Sequence, residues 1–460
     1  MMKTLSPQYS ATELLRAGEV LLVDGSALVE IESNGIKSGP SAINLSGSVG
    51  PFHRDVGIVI SALTTQVNYS TLNSADMQFG APYAKKIGFV ASRTSEPTNM
   101  NGANRQIYAR SKHWSYDHLM AVKLVYWNGY LENNAPYERL NIGPATWQAQ
   151  VESAEGEIIG RVTWRGGASD SGQIPPGGFA ISDWINLSRP IKNSEGFFVG
   201  QFQEGASSIV FTTNQGLLIP TGSVIPDSGE CATFGVTTQN RIGIGGPFTT
   251  SSSANLGARP SAIIGWTKNR SIIIFGDSRQ GGTSENTAID YLGLSGELEP
   301  SLSKYFAIHK ANYASCRATR DYNAQSARLK LAQYATDAII SLGINDAQAG
   351  IPFDGVAGVG IKESIIAIKD NLTAIGLPVW LSTVAPKTNV GNTITDAVAN
   401  PIRVQQNTWV RTCPAGFSGV LDIDKIVSIN DLWVAGYAND GLHETNIGTA
   451  AIRDSGLIKI

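Results

Sequence analysis

Hydrophobic positions follow two different rhythms along this chain. Up to about residue 262 they fall in short runs broken by Gly, Pro, Ser and Asn. Trp147, Ala149 and Val151 alternate with Gln148, Gln150 and Glu152, the period of two expected of a half-buried strand. Further strands are predicted at His118–Trp127, Ile158–Trp164, Phe197–Phe202 and Ser208–Thr212. Many short strands separated by turn residues predict an all-β region, a sandwich or jelly roll, over 76–262. Ahead of it, 1–75 reads as a small β-containing entry region. There Glu19–Val23 and Ser26–Ile31 flank Asp24-Gly25, which predicts a hairpin with a type I′ turn. Val56–Leu63 is another apolar segment, without a module to place it in.

Past the polar stretch Ser251–Pro260, a candidate linker, the pattern changes. Ile272–Phe275 now runs without interruption, and Phe306–Tyr313, Ala338–Leu342, Val379–Val384 and Val420–Ile423 are the further predicted strands. Such blocks, ended by turn residues, read as strands buried on both faces. Between them the spacing predicts helices near 286–305, 322–335, 361–372 and 401–412, with a last one after Asn446. Ile361, Ile365, Ile368 and Leu372 share one helical face. Alternating strands and helices predict an α/β domain over 263–460, with a parallel sheet and helices on both sides.

Composition narrows the functional classes. A net charge of -3 gives no argument for nucleic acid or an anionic membrane. The three cysteines are too few and too scattered for a disulfide framework or a zinc site. No apolar run reaches membrane-spanning length, and the amino terminus lacks the apolar core of a secretory signal. Five of the nine tryptophans (Trp114, Trp127, Trp147, Trp164, Trp184) fall in the β-rich region. They either fill its core or stack on sugar rings.

Three short motifs sit where open α/β sheets place their sites, at carboxyl ends of strands. These are Gly276-Asp277-Ser278, Gly343-Ile344-Asn345-Asp346 and Asp440-Gly441-Leu442-His443. Each has a plainer reading as a turn or a helix cap. Together they supply what acyl transfer needs. A serine hydroxyl is a poor nucleophile until a base takes its proton, and His443, one of only five histidines, is the candidate for that base. Asp440 fixes its tautomer and stabilises imidazolium. The Asn345 amide and the backbone N–H of Ser278 are donors for the developing oxyanion.

On these motifs the carboxyl-terminal part resembles the SGNH hydrolases, the GDSL-type esterase and lipase superfamily. The resemblance implies a flavodoxin-like three-layer domain without a cofactor or metal. It implies the triad Ser278, Asp440 and His443, with Asn345 in the oxyanion hole. The family's glycine motif matches Asn312–Arg317, which puts Arg317 at the glycine, with its backbone N–H as a further donor. Gly448 stands where a small residue is typical after the histidine. Arg279 stands where the family has a hydrophobic residue. Arg279 and Arg317 are therefore candidates for binding an anionic group on the substrate, or for pairing with local carboxylates.

The β-rich region makes the whole resemble a modular carbohydrate esterase or a deacetylating phage tail protein. The expectation is a serine esterase that removes acyl groups, acetyl foremost, from an acylated carbohydrate. Nucleic acid and membrane are not expected partners. The alternatives are a lipase or thioesterase, and a structural or adhesive virion protein with an inactive hydrolase domain. A phage tail protein implies a trimer and a place in the virion; otherwise the expectation is a cytoplasmic protein or one released without a signal.

Overall fold

The computed structural model describes residues 86–132, 138–213, 229–248, 256–282, 294–323 and 326–460, together with the backbone strands between 3 and 72. The chain divides into two compact units, one of residues 1–86 with 165–169, the other of 87–164 with 170–460.

In the first unit six strands form one sheet. Its order is Lys3–Leu5, Val67–Leu72, Val20–Ser33, Val56–Ala62 and Ser10–Leu15, and Ile36–Val49 also pairs with Val20–Ser33. The hairpin expected at Asp24-Gly25 is not formed. The strand Val20–Ser33 runs through that dipeptide, with Asp24 opposite Ser46 and Gly25 opposite Leu45. Ser33 pairs with Ile36, so the reversal follows Ser33.

The second unit opens with the β-rich region. One antiparallel sheet runs Ile158–Arg161, Ala145–Glu152, Gly196–Gly205, Gln106–Trp114, Cys231–Gly235. Another runs Phe179–Ile181, Leu119–Trp127, Ala262–Thr267, Lys86–Phe89. Val122, Leu124, Tyr126 and Ile263 of the second sheet share a core with Trp147, Ala149, Val151 and Val199 of the first. This is a sandwich. Trp127, Trp147 and Trp164 are buried, so these three fill the core, while Trp114 and Trp184 are half-buried. The strand Ala262–Thr267 pairs with Leu119–Trp127, so the sandwich runs beyond residue 262. Of the expected linker, 251–255 lies outside the described residues, and Leu256–Gly257 is a short strand.

The α/β part is a six-stranded parallel sheet. Its order is Gly419–Leu421, Val379–Ser382, Asp337–Ser341, Ser271–Gly276, Ala307–Asn312 and Thr94–Ser95. The two-residue edge strand comes from the β-rich segment. Alternate residues of Ser271–Gly276 point to opposite faces and are all buried. Ile273 and Phe275 pack with Leu331, Ile365, Ile368 and Leu372 on one side. Ile272 and Ile274 pack with Leu298, Leu302 and Ile452 on the other. Continuous apolar strands are thus explained by helices on both faces. The helices are Glu299–Leu302, Ala318–Asp321, Ser326–Ala332, Ile344–Gln348, Ile361–Ala374, Ala399–Arg411, Asp424–Val427 and Asn446–Asp454. The helix expected near 286–305 is confined, among described residues, to Glu299–Leu302, and 286–293 lies outside them. The other face of Leu119–Trp127, Val125 and Trp127, joins the core of Phe275 and Ile340. Sandwich and α/β sheet therefore share apolar packing. Among the described residues no helix is long and apolar enough to cross a membrane.

Candidate active site

The strand Ser271–Gly276 ends in a tight turn that lifts Ser278 out of the sheet. Gly281 N–H donates to the carbonyls of Asp277 and Ser278, closing the turn. Asn312, at the end of the neighbouring strand, donates its amide to the Asp277 carbonyl at 3.2 Å. Ser278 sits in this turn, 9% exposed.

The loop before the last helix brings the base. Asp440 accepts N–H bonds from Leu442 at 2.8 Å and His443 at 2.7 Å, which folds the four residues into a hook. Gly441 has φ +74° in that hook, and a Cβ there would lie 2.4 Å from the Thr388 carbonyl oxygen. Only glycine tolerates both constraints. The His443 Nδ1–H donates to Asp440 Oδ2 at 2.6 Å, and Ser278 Oγ–H donates to His443 Nε2 at 2.9 Å. Serine, histidine and aspartate so form one hydrogen-bonded line. Gly448 lets the last helix start against the loop, since a Cβ there would lie 2.6 Å from the Tyr437 carbonyl.

The electrostatics suit a base. Burial lowers the His443 pKa, against the opposing pull of Asp440, so the ring is neutral at neutral pH. Burial alone would raise the Asp440 carboxyl. The N–H bonds from His443 and Leu442 and the His443 ring outweigh it and hold the group below the usual carboxylate value.

The third motif follows the strand Asp337–Ser341. Gly343, φ +127°, turns the chain against Gln406 into the short helix Ile344–Gln348. Asn345 Nδ2 donates to Asp277 Oδ2 at 3.2 Å and to the Cys316 carbonyl at 3.1 Å. The amide expected to serve the oxyanion is thus brought in, already engaged by two acceptors. Asp346 turns the other way. It accepts from Ala318 N–H at 2.8 Å, Thr319 N–H at 3.0 Å and the Thr319 hydroxyl at 2.5 Å, capping the helix that Arg317 precedes. Among the described residues neither the Ser278 nor the Arg317 backbone N–H donates to a protein acceptor. The Asn345 bond to Cys316 places its amide beside the Cys316–Arg317 peptide.

One candidate is corrected. Arg279 does not face a substrate. It is 3% exposed, and its guanidinium donates to the Ala385 and Pro386 carbonyls at 3.1 and 2.9 Å, with Glu297 at 3.8 Å and the Trp433 ring at 5.6 Å. Arg317 is half-buried beside Asp346. Several residues went unrecognised in the sequence: the Asp277 side chain, Asn312 as a clamp on the serine turn, and the buried Glu297 and Glu444. The only available signal was adjacency, because Asp277 precedes Ser278 and Glu444 follows His443. Among the described residues no group of three or more His, Cys, Asp or Glu is arranged to hold a metal ion.

No family model matches the chain, and no curated protein matches it. Solved structures align with about two fifths of it. A putative acylhydrolase from Bacteroides fragilis is 17% identical over 42% of this chain and 86% of its own, with a TM-score of 0.31. A psychrotrophic esterase from Pseudoalteromonas is 16% identical over 40% of this chain and 93% of its own, with a TM-score of 0.30. A variant of an acetyl-xylooligosaccharide esterase from Geobacillus is 14% identical over 42% of this chain and 97% of its own, with a TM-score of 0.31.

Proposed function

We propose that the protein is a serine ester hydrolase of the SGNH, GDSL-type kind that removes acyl groups, acetyl foremost, from a carbohydrate. The observation that carries the hydrolase reading is the line Ser278 Oγ, His443 Nε2, His443 Nδ1, Asp440 Oδ2, at 2.9 and 2.6 Å. Ser278 Oγ attacks the ester carbonyl carbon while His443 Nε2 takes its proton. The carbonyl oxygen becomes an oxyanion that receives the Ser278 and Arg317 N–H groups, and the Asn345 amide joins them by giving up one of its two present acceptors. On collapse His443 gives the proton to the leaving sugar oxygen, which departs as a hydroxyl, and an acyl-serine remains. Water then gives a proton to His443 as its oxygen adds to the acyl carbon, and on collapse His443 returns that proton to Ser278 Oγ, freeing the serine and a carboxylic acid. Asp440 stays ionised throughout and stabilises each imidazolium.

The carbohydrate part of the reading rests on the β-sandwich packed beside the α/β sheet. It is tested by acetate release from O-acetylated polysaccharides, beside p-nitrophenyl acetate, with wild type and Ser278→Ala. Release from a polysaccharide by wild type alone supports both parts. Turnover of the small ester only, or preference for long-chain esters, overturns the carbohydrate part. No turnover of any ester overturns the enzyme.

A further inference from the structure

Two routes lead from the residue after the serine to one carbonyl in the histidine hook. Arg279 is buried, and its guanidinium closes on two successive carbonyls beyond the strand Val379–Ser382, Ala385 at 3.1 Å and Pro386 at 2.9 Å. A guanidinium carries its donors in a rigid planar fork, so it holds two carbonyls at a set spacing. Just after Pro386, the Thr388 N–H donates to the Gly441 carbonyl at 2.8 Å. That is the first route. The second runs through Trp433. The guanidinium carbon of Arg279 lies 5.6 Å from the centre of the Trp433 ring, and the Trp433 indole N–H donates to the same Gly441 carbonyl at 3.2 Å. Trp433 is itself held in place. Asn392 donates its amide to the Trp433 carbonyl at 2.7 Å and accepts the Trp433 N–H at 3.0 Å. Asn392 belongs to a hairpin in which Thr388 bridges Thr395 and the Asn389 N–H donates to the Ile394 carbonyl at 2.9 Å. That hairpin starts just beyond the carbonyls that Arg279 grips.

We propose that Arg279 and Trp433 are positioning residues that set the approach of His443 to Ser278, acting through the Gly441 carbonyl. The inference rests on the esterase reading of the same site. Arg279 is fixed to the serine turn, since its own N–H donates to Asp277 Oδ1 at 3.0 Å. Gly441 is fixed to the base, because Asp440 gathers the Leu442 and His443 N–H groups around it. The bonds between these two anchors tie the serine turn to the histidine hook across the hairpin. The separation they hold is the 2.9 Å from Ser278 Oγ to His443 Nε2. Both side chains are only 3% exposed, so they act through the hook and not on a substrate.

The test uses two conservative variants. Trp433→Phe keeps an aromatic ring in the core and removes the N–H that Gly441 receives. Arg279→Lys keeps the positive charge that lies 3.8 Å from Glu297 and loses the fork that spans two carbonyls. Each is compared with wild type for kcat and KM on p-nitrophenyl acetate, and for the rate and final extent of labelling by a small fluorophosphonate. Misplacing a reacting group by about 1 Å costs on the order of 100-fold, so a smaller loosening of the hook is expected to cost each variant about 10-fold in kcat, with KM within about twofold of wild type. Labelling should slow by the same factor and still reach every molecule. A merely structural role predicts a lower melting temperature and a smaller labelled fraction, with turnover per labelled site unchanged. That result overturns the proposal, as does a wild-type kcat in either folded variant or a loss that falls on KM. Trp433→Phe decides alone if Arg279→Lys does not fold. A wild type that neither turns over an ester nor takes the label overturns the esterase reading and this proposal with it. An active wild type with unchanged variants overturns the proposal alone.

Discussion

Asp277 Oδ2 takes a hydrogen bond from Asn345 Nδ2 at 3.2 Å, so the residue before the nucleophile aims the side chain opposite it. The other oxygen of Asp277 accepts from the Arg279 N–H at 3.0 Å, which holds the turn on the far side of Ser278. One buried carboxyl thus braces the Ser278 turn and Asn345 together. Burial, with help from the Glu297 and Asp346 charges and against Arg279, pushes its pKa up to about 7. Asp277→Ala removes both braces and should lower kcat by about 10- to 100-fold with a smaller change in KM, since loss of a supporting partner typically costs that much. Steady-state kinetics on p-nitrophenyl acetate check it. An unchanged kcat contradicts the brace.

The same group makes a prediction about stability. Its folded pKa lies above the usual carboxylate value, so its contribution is complete at acid pH and is lost as pH rises towards about 7. Asp277→Asn cannot ionise. Its melting temperature relative to wild type should climb between about pH 4 and pH 7 and level off above that. Differential scanning calorimetry across that range measures it.

In the proposed mechanism His443 sets the acid limb of activity. Burial holds its pKa below the ordinary histidine value. The base is therefore lost only when pH falls through that lowered pKa, and kcat/KM should stay flat down to below about pH 6.5 before dropping with a slope of one proton. Asp440→Asn removes the acceptor that fixes the tautomer and should cost about 10⁴-fold in kcat.

Asn345→Ala tests the oxyanion donor. Loss of one such donor costs about 10²- to 10³-fold in kcat, with binding of the ground state little affected. A rise in KM at constant kcat would place Asn345 in substrate binding instead.

Asp346 carries a structural load beside the chemistry. Asp346→Ala strands the Ala318 and Thr319 N–H groups at a buried helix start. An unsatisfied buried donor costs about 1–3 kcal/mol, so denaturant unfolding should show at least that loss for the pair. Arg317 precedes this helix, so activity should fall as well.

The parallel sheet was legible because Ser271–Gly276, Asp337–Ser341 and Val379–Ser382 are short, largely apolar blocks closed by turn residues, and because helices on both faces remove the polar half of the pattern. The hydrogen-bonded line of Ser278, His443 and Asp440 was legible because so few histidines exist and because Gly276-Asp277-Ser278 follows a strand while Asp440–His443 precedes the last helix. Burial of Arg279 was not legible. Its partners are carbonyls more than a hundred residues away, and a sequence shows a charge without showing what receives it. The Thr94–Ser95 edge strand has no pattern of its own at two residues. The hairpin at Asp24-Gly25 was misplaced because two turn dipeptides compete within one segment, and pairing with Ile36–Val49 selects the later one. Burial of Glu444 was not legible either, since a glutamate beside a loop histidine is ordinarily a surface residue.

The most direct measurement is the site of covalent labelling by a small fluorophosphonate, read by intact-mass and peptide mass spectrometry. Ser278 bonded to neutral His443 predicts a single adduct, on Ser278, abolished by Ser278→Ala and strongly slowed by His443→Ala. No adduct, or one on another residue, would contradict the account.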